Sequence, residues 1–152
     1  MDTNIIKERK NRIMVVEDDA DINRLISYNL SRSGFNSEAA YDGNEAKEKL
    51  NNEVFDVVIL DIMLPGIDGF RICKAIKENP AAFKTFVVML TARVEPQDKI
   101  YANLIGADCY LTKPFNVTEL METIKGLVDL RERQYSICPD KTMQKYVKRI
   151  NN

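Results

Sequence analysis

Four apolar runs of strand length punctuate the chain: Ile13-Met14-Val15-Val16, Val57-Val58-Ile59-Leu60, Phe86-Val87-Val88-Met89-Leu90 and Cys109-Tyr110-Leu111. Short unbroken runs rich in Val and Ile are the mark of strands covered on both faces, as in a parallel sheet. Segments of helical period lie between them. Over residues 20–33, Ile22, Leu25, Ile26 and Leu30 share one face, and Gly34 stops the helix. Asp42 can cap a second helix that runs to about Leu50, a third covers residues 69–78 before Asn79-Pro80, and a fourth covers residues 95–105. The fifth starts at Asn116, a good capping residue, and buries Leu120, Met121, Ile124, Leu127 and Val128. A weak strand at residues 37–40, with little β propensity of its own, completes the set.

Five strands alternating with five helices in about 120 residues predict an α/β domain whose parallel sheet is wrapped on both faces. Right-handed crossovers reduce the topology to a doubly wound sheet of strand order 2-1-3-4-5. In such a sheet, ligands bind outside the carboxyl ends of the strands. Each apolar run here ends on a different polar group. The first empties into Glu17-Asp18-Asp19, the second into Asp61, the third into Thr91 and the fourth, through Thr112, into Lys113. A carboxylate cluster, a hydroxyl and an ammonium therefore converge on one edge.

Composition narrows the chemistry of that edge. Net charge is only −1, but residues 1–12 carry four basic and two acidic side chains and residues 131–152 carry six basic and two acidic, which leaves the middle near −7. An acidic middle disfavours a direct grip on nucleic-acid phosphates and favours a bound cation. There is no histidine, which removes a histidine base, a histidine phosphoacceptor and most zinc sites. Cys73, Cys109 and Cys138 are odd in number and show no C-x-x-C spacing, so they read as thiols in a reducing cytoplasm. No run of eighteen apolar residues and no signal sequence is present, so no membrane association is expected. Carboxylates crowded at one strand edge repel, and magnesium, which takes few carboxylates plus waters and a phosphate oxygen, resolves the repulsion. The alternative for Glu17, Asp18 and Asp19 is that they are acids favoured by the start of the helix that follows.

The ordered set Glu17-Asp18-Asp19, Asp61 to Gly69 with Pro65-Gly66 and Asp68 between, Thr91-Ala92 and Lys113-Pro114-Phe115 resembles a receiver domain of the two-component response regulators over residues 11–130. The resemblance implies a CheY-like, flavodoxin-like fold. It implies that Asp61 is the phosphoacceptor, and that Glu17, Asp18 and Asp61 bind Mg2+, for which Mn2+ can substitute, together with the backbone carbonyl of Met63. Asp19 is then an extra acid beside the metal, Lys113 and Thr91 hold the phosphoryl group, and Tyr110 is the aromatic switch partner of Thr91. A sensor histidine kinase would donate the phosphoryl group. The surface of the fourth helix, fifth strand and fifth helix would signal to a downstream protein, with no direct contact to nucleic acid by this segment.

The same resemblance makes the chain a signalling phosphoacceptor with slow self-dephosphorylation rather than a turnover enzyme. Residues 1–11 read as a basic extension, 12–130 as the receiver and 131–152 as a basic tail, in which Met143, Tyr146, Val147 and Ile150 have helical spacing. Many DNA-binding members of that family dimerise through the fourth and fifth helices by a set of charged pairs. Lys99 and Glu119 are counterparts here, but Thr123 and Leu130 stand where arginines are expected, which leaves a monomer or a weak homodimer. Among rivals, a haloacid-dehalogenase phosphatase needs a second Asp where Met63 stands. A pseudo-receiver would not need the intact acid set, and a flavin binder would need a phosphate-cradling loop after the first strand.

Overall fold

The computed structural model describes residues 11–136. Ten elements alternate along it: β1 (Arg12–Val16), α1 (Ala20–Arg32), β2 (Asn36–Ala40), α2 (Gly43–Asn52), β3 (Val57–Leu60), α3 (Gly69–Glu78), β4 (Phe86–Thr91), α4 (Pro96–Leu104), β5 (Cys109–Thr112) and α5 (Val117–Ser136). The five strands are parallel in the order β2-β1-β3-β4-β5. That is the doubly wound topology that the alternation of runs predicts.

Alternate strand residues feed two cores. Met14, Val16, Val58, Leu60, Val87 and Met89 pack with α2 and α3 on one face. Ile13, Val15, Val57, Ile59, Val88 and Leu90 meet Ile26 and Leu30 of α1 and Leu120, Ile124 and Val128 of α5 on the other. Period-2 alternation in unbroken apolar runs is thus used on both faces, which is why these strands carry almost no polar residue. Leu127 is only half-buried at the edge of the second core.

The helix ends follow local chemistry. Asp19, Asp42 and Asp68 each cap a helix with a side-chain oxygen, and Gly34, at φ 89°, follows α1 where an L side chain would be strained. β2 forms despite its weak residues because its backbone pairs with all five residues of β1 and buries Ala40. α5 runs past the expected boundary at residue 130 to Ser136. Arg131 fastens that stretch by donating from Nη1 to the carbonyls of Asp56 and Lys84. The expected helix around Met143 to Ile150 and the basic extension before Asn11 lie outside the described residues.

Candidate functional site

Strand register delivers the polar residues to one place. Val16 pairs with Leu60, Leu60 with Met89, and Thr91 with Thr112. The ladder continues one step beyond: Glu17 N–H donates to the Ala40 carbonyl at 3.0 Å, Asp61 N–H to Val16 at 3.1 Å, and Lys113 N–H to Thr91 at 2.8 Å. The side chains that leave the sheet at Glu17, Asp61 and Lys113 are therefore fixed by backbone pairing.

Lys113 Nζ donates to Asp61 Oδ2 at 2.7 Å and to Glu17 Oε1. The Lys113–Pro114 peptide is cis. Glu17 and Asp61 are buried, at 3% and 6% exposure, while Asp18 is open to solvent. Carboxylate oxygens of Glu17, Asp18 and Asp61 lie within 4.8 Å of one another. Burial pushes the Lys113 ammonium toward its neutral form, but the hydrogen bonds to Asp61 and Glu17 outweigh it and hold its pKa above the ordinary value. Burial pushes the Glu17 carboxyl up against the pull of Lys113, and Asp18 and Asp61 add to the rise. One ammonium is thus held charged and still leaves three acids short of positive charge. A compact set of hard oxygen donors with excess negative charge fits a divalent cation such as magnesium.

The remaining candidates are placed differently. Asp19 is not in that group: its Oδ1 accepts from the N–H groups of Asp21 (2.9 Å) and Ile22 (3.2 Å), so it is the N-cap of α1. The signal was its position immediately before the first helical residue. Met63 brings its main chain to the site, its N–H donating to Asp61 Oδ1 at 3.1 Å, while its side chain is exposed. Thr91 is fully buried, and its Oγ1 accepts from Arg93 N–H at 3.3 Å. Tyr110 turns its hydroxyl to the Arg93 carbonyl at 2.8 Å, with the Lys99 ammonium 5.7 Å above its ring.

Arg93 was missed from the sequence. Both hydroxyl residues, Thr91 and Tyr110, bond to its backbone, and its guanidinium pairs with buried Asp98 at 3.1 Å and lies 5.8 Å from the centre of the Phe70 ring. Nothing in the apolar pattern marks a loop residue of this kind. Asn23 was also missed: its buried amide donates to the carbonyls of Val15, Glu17 and Ala40, tying α1 to the strand ends beside the carboxylates.

Comparison with known proteins gives one answer. The family model described as the response regulator receiver domain matches residues 13–125. The alkaline phosphatase synthesis transcriptional regulatory protein PhoP of Bacillus subtilis (strain 168) is 40% identical over 117 residues, which cover 77% of this chain and 48% of that protein. The chain therefore spans about half the length of that relative. A CheY-like receiver domain protein from Methanospirillum hungatei JF-1 is similar in structure at a TM-score of 0.78, with 28% identity over 83% of this chain and 99% of that one. The response regulator DrrB, a Thermotoga maritima OmpR/PhoB homolog, is similar at a TM-score of 0.72, with 33% identity over 81% of this chain and 54% of that one.

Proposed function

The chain belongs to the receiver domain family of two-component response regulators, and from that premise we propose that it accepts a phosphoryl group on Asp61 from a sensor histidine kinase and passes the signal to a downstream protein. The observation that carries the reading is the bridging of Asp61 and Glu17 by one lysine beside Asp18, at the carboxyl edge of the sheet.

In this reading an Asp61 oxygen attacks the phosphorus of a phosphohistidine or of a small acyl phosphate. The bond to the leaving imidazole nitrogen, or to the acyl oxygen, breaks with its electron pair on the leaving group. Glu17, Asp18 and Asp61, with the main-chain carbonyl of Met63, would hold Mg2+ or Mn2+, which supplies positive charge to the transferring phosphoryl oxygens. Lys113 then shifts from pairing two carboxylates to pairing Glu17 and the phosphoryl group. Water attacking the same phosphorus would reverse the modification slowly.

The switch rests on the shared bond partner of Thr91 and Tyr110. Drawing the Thr91 hydroxyl toward a phosphoryl oxygen takes it from Arg93 N–H, which loosens the segment that also holds the Tyr110 hydroxyl. The surface that would respond includes a groove of about 200 Å³ lined by Lys99, Tyr110, Thr112, Pro114, Phe115 and Glu119. Beside it, α4 presents Ile100 and Leu104 at 62% and 76% exposure. Exposed apolar residues of this kind suit docking of a protein rather than nucleic acid. The Thr123 hydroxyl bonds back to the Glu119 carbonyl at 2.9 Å, so this position offers no charged pair to a second copy and supports a monomer or weak homodimer. No described helix is long and apolar enough to cross a membrane; a cytoplasmic setting is the one in which a kinase of this class would reach the site.

Intact mass after incubation with acetyl phosphate and magnesium tests the proposal, beside a chelator control and the Asp61→Asn variant. A gain of one phosphoryl group that needs both Asp61 and magnesium supports it. Labelling retained in Asp61→Asn, or indifferent to chelation, would sink the site assignment.

A further inference from the structure

The loop joining β3 to α3, residues 61–68, carries Asp61 at one end and runs through Met63 to the cap of α3. Its inner side is fastened to itself: Gly69 N–H donates to the Ile62 carbonyl at 2.9 Å and Leu64 N–H to the same carbonyl at 3.2 Å. Its outer side rests on a different element, the first turn of α2. Gly43 N–H donates to the Pro65 carbonyl at 3.0 Å. A β-carbon at Gly43 would stand 1.9 Å from the Ile67 oxygen and 2.7 Å from the Ile67 carbon and nitrogen. Those atoms are all backbone, so no rotamer change relieves the overlap. The next residue, Asn44, sets its amide over Gly66, where a β-carbon would lie 2.7 Å from Nδ2.

We propose that Gly43, with Asn44, is a positioning residue for the carboxylate site, acting through the β3–α3 loop. This rests on the reading that the site binds a divalent cation. The α2 corner is itself rigid: Asp42 Oδ1 accepts from Glu45 N–H at 2.7 Å, and Glu45 Oε2 accepts from Tyr41 N–H at 3.0 Å. The loop is short, and Pro65 adds stiffness at the contact. Only Leu64 separates that contact from Met63, whose N–H orients Asp61 Oδ1 at 3.1 Å. To reach 3.0 Å, the shortest separation a β-carbon tolerates, the two backbones would have to part by about 1.1 Å. A displacement of that size at Pro65 to Ile67 has no slack in which to dissipate before Met63. Hydrogen-bond partners that orient metal ligands typically set about tenfold or more of metal affinity.

The test is backbone amide NMR of 15N-labelled protein through a magnesium titration. Gly43→Ala is compared with Gly126→Ala, the same change made where a β-carbon meets nothing and the backbone is helical. A methyl at Gly126 lies on the exposed face of α5 and adds helix stability, so it isolates the effect of position from that of the substitution. The expected result is that Gly43→Ala moves the Met63 and Leu64 amides before any magnesium is added and raises the magnesium midpoint about tenfold or more. Gly126→Ala does neither. Asn44→Ala, which removes the amide lying over Gly66 and adds no atom, moves the Met63 and Leu64 amides less, with a smaller loss of affinity, and serves if Gly43→Ala fails to fold. A folded Gly43→Ala protein with unmoved Met63 and an unchanged midpoint would overturn the proposal. A wild-type midpoint that Asp61→Asn leaves alone would refute the cation reading instead, and the metal-free Met63 shift would still decide whether Gly43 holds the loop.

Discussion

The two edges of the sheet use the same kinds of side chain to opposite ends. At the amino edge every described buried acid is matched. Asp56 accepts from Arg12 N–H through Oδ2 at 2.7 Å and pairs with Arg131 Nε through Oδ1 at 3.3 Å. Asp108 accepts from Val87 N–H at 2.8 Å and pairs with Lys77 at 2.9 Å, which also donates to the Thr85 carbonyl. At the carboxyl edge, Glu17, Asp18 and Asp61 share one lysine. Carboxylates bonded to backbone N–H groups and paired one to one hold an end of the fold closed. Carboxylates in excess leave an end whose charge is still to be balanced, which suits a divalent cation.

The sharpest way to break the contrast is to remove one acid from each edge. Asp61→Asn should abolish phosphoryl labelling by acetyl phosphate while costing no stability, since it relieves crowding at an unbalanced site. Urea unfolding and intact mass measure the two halves of that statement. Asp56→Ala should do the reverse. It removes the acceptor of the Arg12 N–H and the carboxylate paired with Arg131 Nε, which should cost about 3 kcal/mol in urea unfolding, while labelling of the folded fraction persists. A stability loss at Asp61 equal to that at Asp56 would erase the distinction between the edges.

The thiols give a pH test of the amino edge. Burial, with Asp108 adding to it, pushes Cys73 up from 9.0 to about 12, and burial and Asp108 raise Cys109 in the same direction. The unfolded chain therefore releases these protons near pH 9 while the folded chain keeps them, and stability should fall as pH rises from about 9 toward 12. In a Cys138→Ser protein, iodoacetamide should react at pH 8 far more slowly before unfolding than after it; equal rates would contradict the burial. The smallest effect expected is at neither edge. Gly126→Ala should stabilise α5 by about 1 kcal/mol, read as a raised urea midpoint with labelling unchanged.

The fold and the centre of the site were legible because both rest on patterns that local sequence carries. Apolar runs ending in Glu17, Asp61, Thr91 and Lys113 needed only the rule that parallel strands present their carboxyl ends together. What stayed hidden depends on pairs far apart in sequence. The β-carbon overlap between Gly43 and Ile67, the Arg93 backbone shared by Thr91 and Tyr110, and the hold of Arg131 on Asp56 have no periodicity to betray them. Asp19 shows the opposite error. A residue grouped with its acidic neighbours is turned away by the helix it caps, because the first turn of α1 needs an acceptor at that position.

Lys113 lies 96 residues beyond Glu17 and 52 beyond Asp61. A chain made from its amino end puts both acids into the growing protein long before the base that joins them, which follows the last of the five strands in sequence. A nascent or prematurely stopped chain can have its acids but lacks the lysine, so the bridge between Glu17 and Asp61 closes only when the domain is nearly whole.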